Sequence, residues 1–346
     1  MESLASISAQ LIEQLDPADI RAARRRVQHK AALVMVGFLA SYGLVITGHR
    51  WAVGIGLVGV ALSSYSTISV VMHDANHGAM FDRPSMNRLV GYSLDFFGAS
   101  SLMWCIKHND VHHHHANVDE VDADIRQQPF FRLNHYQQWH VWHRFQHLYA
   151  PVLYGFLPVQ FVFADFYNLF RSSIRDYEIT ERPSPLQIAG MLLGKLVFLT
   201  WALLLPVYLY GLRAAVVALA VAWVVGVALA LTVQVAHVVD IVEHYEFSND
   251  TPSDRFVRHQ ASVTADVATK GPLGRVFRWL AGGLDKQVAH HLVPSLPHTI
   301  YPQLQQKVED ICANHGAKYR THPSMTAAIR SHFRWLHELG RRPAAL

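Results

Sequence analysis

The chain has 346 residues, of which 51% are hydrophobic and only 16% charged, against about 25% charged in an ordinary soluble domain. Its formal charge of +4 is scattered and lacks aromatic interleaving, which excludes a nucleic-acid-binding footprint. Two cysteines give neither a disulfide framework nor a thiolate zinc site, whereas 23 histidines nearly equal the 26 acidic residues.

Residues 1–30 are polar and acidic before the basic run Arg21, Arg24, Arg25, Arg26 and Lys30. That pattern predicts a cytoplasmic amphipathic segment lying at a membrane surface rather than a signal peptide. Two pairs of apolar stretches follow: Ala31–Ile46 with Trp51–Val71, and Ile188–Tyr210 with Ala214–Val235. A bilayer core of about 30 Å takes roughly 20 apolar helical residues. The last three stretches meet that length, and the first does so if it extends into its flank. The predicted fold is an all-α integral membrane protein with four transmembrane helices in two hairpins, 31–71 and 188–235. Between the hairpins lies 72–187, and 236–346 follows them; together these would form a cytoplasmic helical cap carrying a His-rich di-metal site. The turns between paired spans hold only Arg50 and Arg213 as Arg or Lys, so both termini and the site are placed in the cytoplasm. Ala150–Phe170, interrupted by Pro151 and Pro158, is predicted to lie in the interface with Trp139, Trp142, Tyr149 and Tyr154 at headgroup depth.

The histidines cluster beyond the cytoplasmic ends of these spans. His73 and His77 have the i, i+4 spacing that puts two imidazoles on one helix face. His108, His112 and His113 fall within an arc of about 140° at ~100° per residue, and His290 and His291 within about 100°. His237 ends the last span. These eight nitrogen donors exceed what one tetrahedral zinc ion uses and match two metals of higher coordination. Polar neighbours that could orient them are Asp74, Asn109, Asn117, Asp122, Asp240, Gln287, His114 and His298. The stripe Ser63, Ser64, Ser66, Thr67 and Ser69 either packs helices or lines a substrate path. Arg126, Arg132, Arg144 and Arg175 would meet either a phosphate-bearing carrier or anionic lipid headgroups.

Three motifs in order, His73-Asp74-Ala75-Asn76-His77, His108 to His113 and Gln287-Val288-Ala289-His290-His291, resemble the histidine boxes of the membrane-bound fatty-acid desaturases. The likeness runs over roughly residues 30–320 and looks most like bacterial acyl desaturases with a QxxHH third box. It implies two iron ions on the eight histidines, with O2 as co-substrate. It further implies a double bond introduced into an acyl chain carried by a lipid, by CoA or by acyl-carrier protein. No His-Pro-Gly-Gly haem motif is present, so electrons would come from an external donor such as ferredoxin or cytochrome b5 with its reductase. Asp285, Lys286 and Ala289 depart from the family pattern, and Lys286 bears on the substrate head group or regiochemistry. A hydroxylase, epoxidase or acetylenase on the same scaffold shares these ligands. A histidine-rich metal transporter would place ionisable groups along an ion path inside the spans, where Lys195 stands alone.

Overall fold

The computed structural model describes residues 3–171, 173–174, 177–178, 182–246 and 256–343; Arg175 lies outside them. The fold is mostly helical. The Ser3 hydroxyl accepts the Ser6 N–H and opens α1, Leu4–Glu13. The Asp16 carboxylate accepts the Ala18 N–H, and Pro17 fits the first helical position of α2, Pro17–Ile46. A turn at Gly48, with φ of 73°, leads into α3, Arg50–Asn76. Two bent helix pairs follow: α4, Pro84–Phe96, with α5, Ser101–His115, at 109°, and α6, Val141–Tyr154, with α7, Leu157–Arg171, at 85°. Ser184 and Gln187 form a capping box at the start of α8, Pro185–Tyr210, and α9 is Arg213–His237. The remaining helices are α10, Phe256–Val263; α11, Gly271–Ala281; α12, Gln287–Leu292; α13, Tyr301–Asn314; and α14, Met325–Gly340.

Four of these, α2, α3, α8 and α9, are long and apolar enough to cross a membrane. The first reaches that length by continuing through the basic run, with no break at residue 30. Their outward faces expose Leu33, Leu39, Leu193, Leu196 and Val216, a density of apolar side chains that suits lipid better than water. Glycine lets the helices approach closely. A Cβ at Gly56 would lie 2.6 Å from the Ser41 carbonyl on α2, and one at Gly226 would lie 2.7 Å from the Gly155 carbonyl.

Three placements differ from the sequence-based expectations. α1 is amphipathic, but its apolar side faces the protein: Ile7 and Leu11 are buried in a core with Leu292, Ile300 and Leu304, the Ser8 hydroxyl donates to the Leu292 carbonyl, and Gln10 and Glu13 are exposed. Tyr154 is not at an outer surface, because it is buried with its hydroxyl 2.9 Å from His332 Nε2. Arg132 is not free for a carrier or headgroup, since its guanidinium donates to the carbonyls of Gln137, Leu339 and His135. The serine stripe serves packing at Ser69, whose hydroxyl donates to the carbonyls of Tyr65 and Leu280.

Lys195, the ionisable residue inside α8, is paired rather than exposed along a path. Its Nζ donates to Asp165 Oδ2 at 2.7 Å and to the Gly98 carbonyl at 2.9 Å, and both side chains are buried. Lys195→Met would strand Asp165, a loss of about 3–5 kcal/mol for a broken buried pair. The thermal midpoint of the detergent-solubilised variant should fall markedly, and Asp165→Asn combined with Lys195→Met should recover much of it.

Candidate metal centre

The centre forms where helix ends meet. α3 ends one residue before His77, α9 ends on His237, and α12 carries His290 and His291. In α3 and α5 the residues leading to the histidines are wound as π-helix, Thr67–Met72 and Ile106–His112. A π-turn closes i to i+5 and recurs at functional sites. It turns His108 and His113 toward each other, with ring centroids 4.8 Å apart, while His112 stacks on His108 at 5.3 Å and also meets His237 and His291, 4.9 and 5.1 Å away. The 3.6-residue arithmetic therefore grouped the right histidines but not their division.

That division is into two nitrogen clusters. Ring nitrogens of His73, His77, His108 and His290 lie within 4.8 Å of one another, as do those of His112, His237 and His291. His113 stands between, its ring centroid 4.9 Å from His77, 4.7 Å from His290 and 4.6 Å from His291. A third grouping brings Asp124 to His108 and His112. All eight predicted histidines thus meet in one place.

Buried ring nitrogens are left without a hydrogen-bond partner at His77 Nε2, His108 Nε2, both nitrogens of His113, His290 Nε2 and His291 Nε2, and His73 Nδ1 has only the Asp74 carboxylate, 3.7 Å away. Burial first, and then the neighbouring imidazoles, push His290 and His291 well below the ordinary histidine range. They are therefore neutral near pH 7, with a lone pair free. An unpartnered buried nitrogen is costly, so several converging ones fit a metal-binding role. An all-imidazole set without thiolate suits iron, zinc, copper or nickel.

Partners on the opposite ring nitrogens assign the tautomers. A carboxylate only accepts, so His112 Nδ1–H donates to Asp122 at 3.2 Å and Nε2 faces inward. His237 Nδ1–H donates to the Val263 carbonyl at 3.2 Å. The Lys30 ammonium can only donate, so His298 Nε2 accepts it at 2.9 Å while Nδ1–H donates to Asp74 Oδ2 at 2.8 Å. Asp74 Oδ1 then lies 3.7 Å from His73 Nδ1. A buried line of charge thus runs from α2 to the first cluster.

Of the other predicted orienting residues, Asn117 acts on the backbone. Its side chain donates to the carbonyls of His237, Glu243 and Val263, and its φ is 55°. Asn109 donates to the Asn76 carbonyl. Three expectations are corrected. Asp240 points away to α14, where it accepts from Ser331 and pairs with Arg334 at 2.9 Å. His114 is turned to the exposed side, with Nδ1 3.1 Å from the Asn109 carbonyl. Gln287 is buried at the start of α12, but the amide that meets the third box is Gln260, whose Oε1 accepts His291 Nδ1–H at 2.8 Å and whose Nε2 donates to the His113 carbonyl. Lys286 is itself buried, with its ammonium 3.4 Å from buried Asp266.

Gln260 was not found from sequence, and neither was Tyr301, whose hydroxyl lies 3.3 Å from His290 Nδ1. Replacing Gln260 by Leu should lower metal affinity about tenfold, within the 10–100-fold span for groups that orient a ligand. Competition with a chelator, read by atomic spectroscopy, measures it.

Four helices apolar enough to cross a membrane, with clustered imidazoles at their ends that could hold metal, define a helical membrane-type protein. A family model described as "Fatty acid desaturase" matches residues 49–323. The chain is 32% identical over 293 residues to a Synechocystis sp. protein named sn-1 linoleoyl-lipid 6-desaturase, covering 83% of this chain and 80% of that protein. It is 26% identical to an Arthrospira platensis protein of the same name, covering 91% and 86%. To an acyl-lipid (8-3)-desaturase of Physcomitrium patens it is 32% identical, covering 90% of this chain and 66% of that protein. The chain belongs to the fatty acid desaturase family and is an oxidoreductase.

Proposed function

We propose that the chain is an acyl-lipid desaturase whose eight clustered histidines hold two iron ions. The observation that carries this reading is the set of six buried ring nitrogens, from His77, His108, His113, His290 and His291, that have no hydrogen-bond partner within the protein. His73, His77, His108 and His290 would hold one ion, His112, His237 and His291 the other, with His113 between them. Unactivated C–H bonds have no useful acidity, so the bound irons would supply, with O2, the oxidising power that side chains lack. In balance, an alkane segment, O2, two electrons and two protons become an alkene and two waters, and the electrons come from an external donor protein.

The protein's part is orientation and exclusion of water. Asp122, Gln260 and the Val263 carbonyl each take an Nδ1–H and leave the opposite nitrogen for metal. Trp104 stacks on His108 at 4.3 Å and reaches 5.7 Å from His73 and 5.5 Å from His77. Behind it lies a cavity of about 290 Å³ lined by Ala99, Met103, Lys107 and Phe161. The acyl chain would reach the histidines from this side. Four spans, in two hairpins, would place the centre and both termini on the cytoplasmic face, following the basic residues before α2.

Expression in a host with a suitable electron donor, followed by mass spectrometry of total lipids, tests the assignment. A new double bond in lipid acyl chains is expected. An oxygen-bearing product would replace it with a hydroxylase or epoxidase, and a triple bond with an acetylenase.

A further inference from the structure

A second cavity, of about 690 Å³, lies away from the histidines between the two pairs of apolar helices. Its walls are aliphatic and aromatic, including Tyr42, Leu57, Val60, Val162, Phe198 and Val221. Its inner end is lined by Ile68, Phe97 and Phe163, and Phe163 also lines the cavity beside Trp104, so one side chain stands between the two. The other end opens at the two interhelix turns and is lined there by Arg50 and Arg213. From Arg50 to Ser64 the wall rises roughly 21 Å at 1.5 Å per helical residue, deeper than the ~15 Å half of a bilayer core.

Among the described residues, no Asp or Glu pairs with the charge at this mouth. No Asp or Glu occurs between Asp19 and Asp74, or between Glu181 and Asp240. Arg213 Nε donates to the Tyr210 carbonyl, and the Arg50 guanidinium sits 5.0 Å over the Trp51 ring. Neither contact neutralises the charge. Trp51 and Tyr208 stand exposed at the same level, 75% and 85% accessible, as aromatic side chains do at headgroup depth. The mouth is thus a cationic rim at the interface, and the interior is apolar and of acyl-chain length.

We propose that this cavity binds one anionic phospholipid, its phosphate between Arg50 and Arg213 and one acyl chain inserted toward Ile68. The proposal rests on the membrane reading above, but not on the identity of the metal or of the reaction. The lipid would be a resident of the leaflet opposite the histidine centre, filling space that the two helix pairs leave between them. It would be distinct from the acyl substrate, which the Trp104 side serves.

The test uses the full chain purified from membranes in a mild detergent, with co-purifying lipids counted by mass spectrometry and compared with the bulk membrane. Wild type should retain about one anionic phospholipid per chain, enriched about tenfold over its membrane share, as two interfacial arginines favour. Arg50→Gln with Arg213→Gln should abolish the enrichment, and Arg50→Lys with Arg213→Lys should keep it. Ala222→Trp, which narrows the cavity, should displace the lipid from a protein that still elutes as a single species. Bulk-membrane lipid composition in wild type, or enrichment unchanged by the glutamine pair, would overturn the proposal. So would a retained lipid whose acyl chain carries the newly formed double bond, since the cavity would then belong to the substrate path. Release of the wild-type chain by alkaline carbonate would instead defeat the membrane reading itself.

Discussion

His113→Ala is expected to reduce double-bond formation to background and to lower bound metal by at least one ion per chain. His113 is fully buried, both its ring nitrogens are unpartnered, and its ring lies within 5 Å of members of both clusters. Of the eight, it is the histidine with both ring nitrogens buried and without a hydrogen-bond partner. Its removal deletes a donor and opens a void where the clusters adjoin, so neighbouring rings lose their spacing as well. Metal and lipid analysis, with the helix content and elution profile of the purified variant, separate loss of the centre from loss of fold. Unaltered unsaturation in the variant would show that the histidine assignment is wrong.

The second large effect is expected at Asp122, whose carboxylate accepts from His112 Nδ1 and from the backbone N–H groups of Asn117 and Asp124. Asp122→Ala releases the His112 tautomer and strands two backbone donors, each worth about 1–3 kcal/mol when buried and unmade. Metal affinity should fall toward the upper end of the 10–100-fold range for such orienting groups. Asp122→Asn keeps one acceptor oxygen and should fall less. Equal losses in the two variants, measured by chelator competition, would mean that the effect is general unfolding and not orientation of His112.

The eight histidines were legible because their spacing recurs at the ends of apolar runs, and both features follow from helix geometry alone. What their spacing did not reveal was how they divide. The π-turns at Thr67–Met72 and Ile106–His112 rotate the rings, and such winding depends on tertiary packing. Proximity in sequence misplaced Asp240, which follows His237 by three residues; α9 ends there and the chain turns to α14. Gln260 could not be found by spacing, since it lies 31 residues from the histidine it orients. Lys286 stood out as a charge beside the third box, but its partner Asp266 lies 20 residues earlier and could not be read from spacing. Four apolar helices were legible in composition, whereas burial of α1 and Tyr154 required knowing what they pack against.

The central claim is that these imidazoles hold two irons. Metal quantification on the full chain, purified without chelators from iron-supplemented cells, tests it most directly. About two irons per chain, the capacity of two nitrogen clusters, is the expected result, with loss of one or more in His113→Ala. A single zinc per chain, retained in that variant, would contradict it.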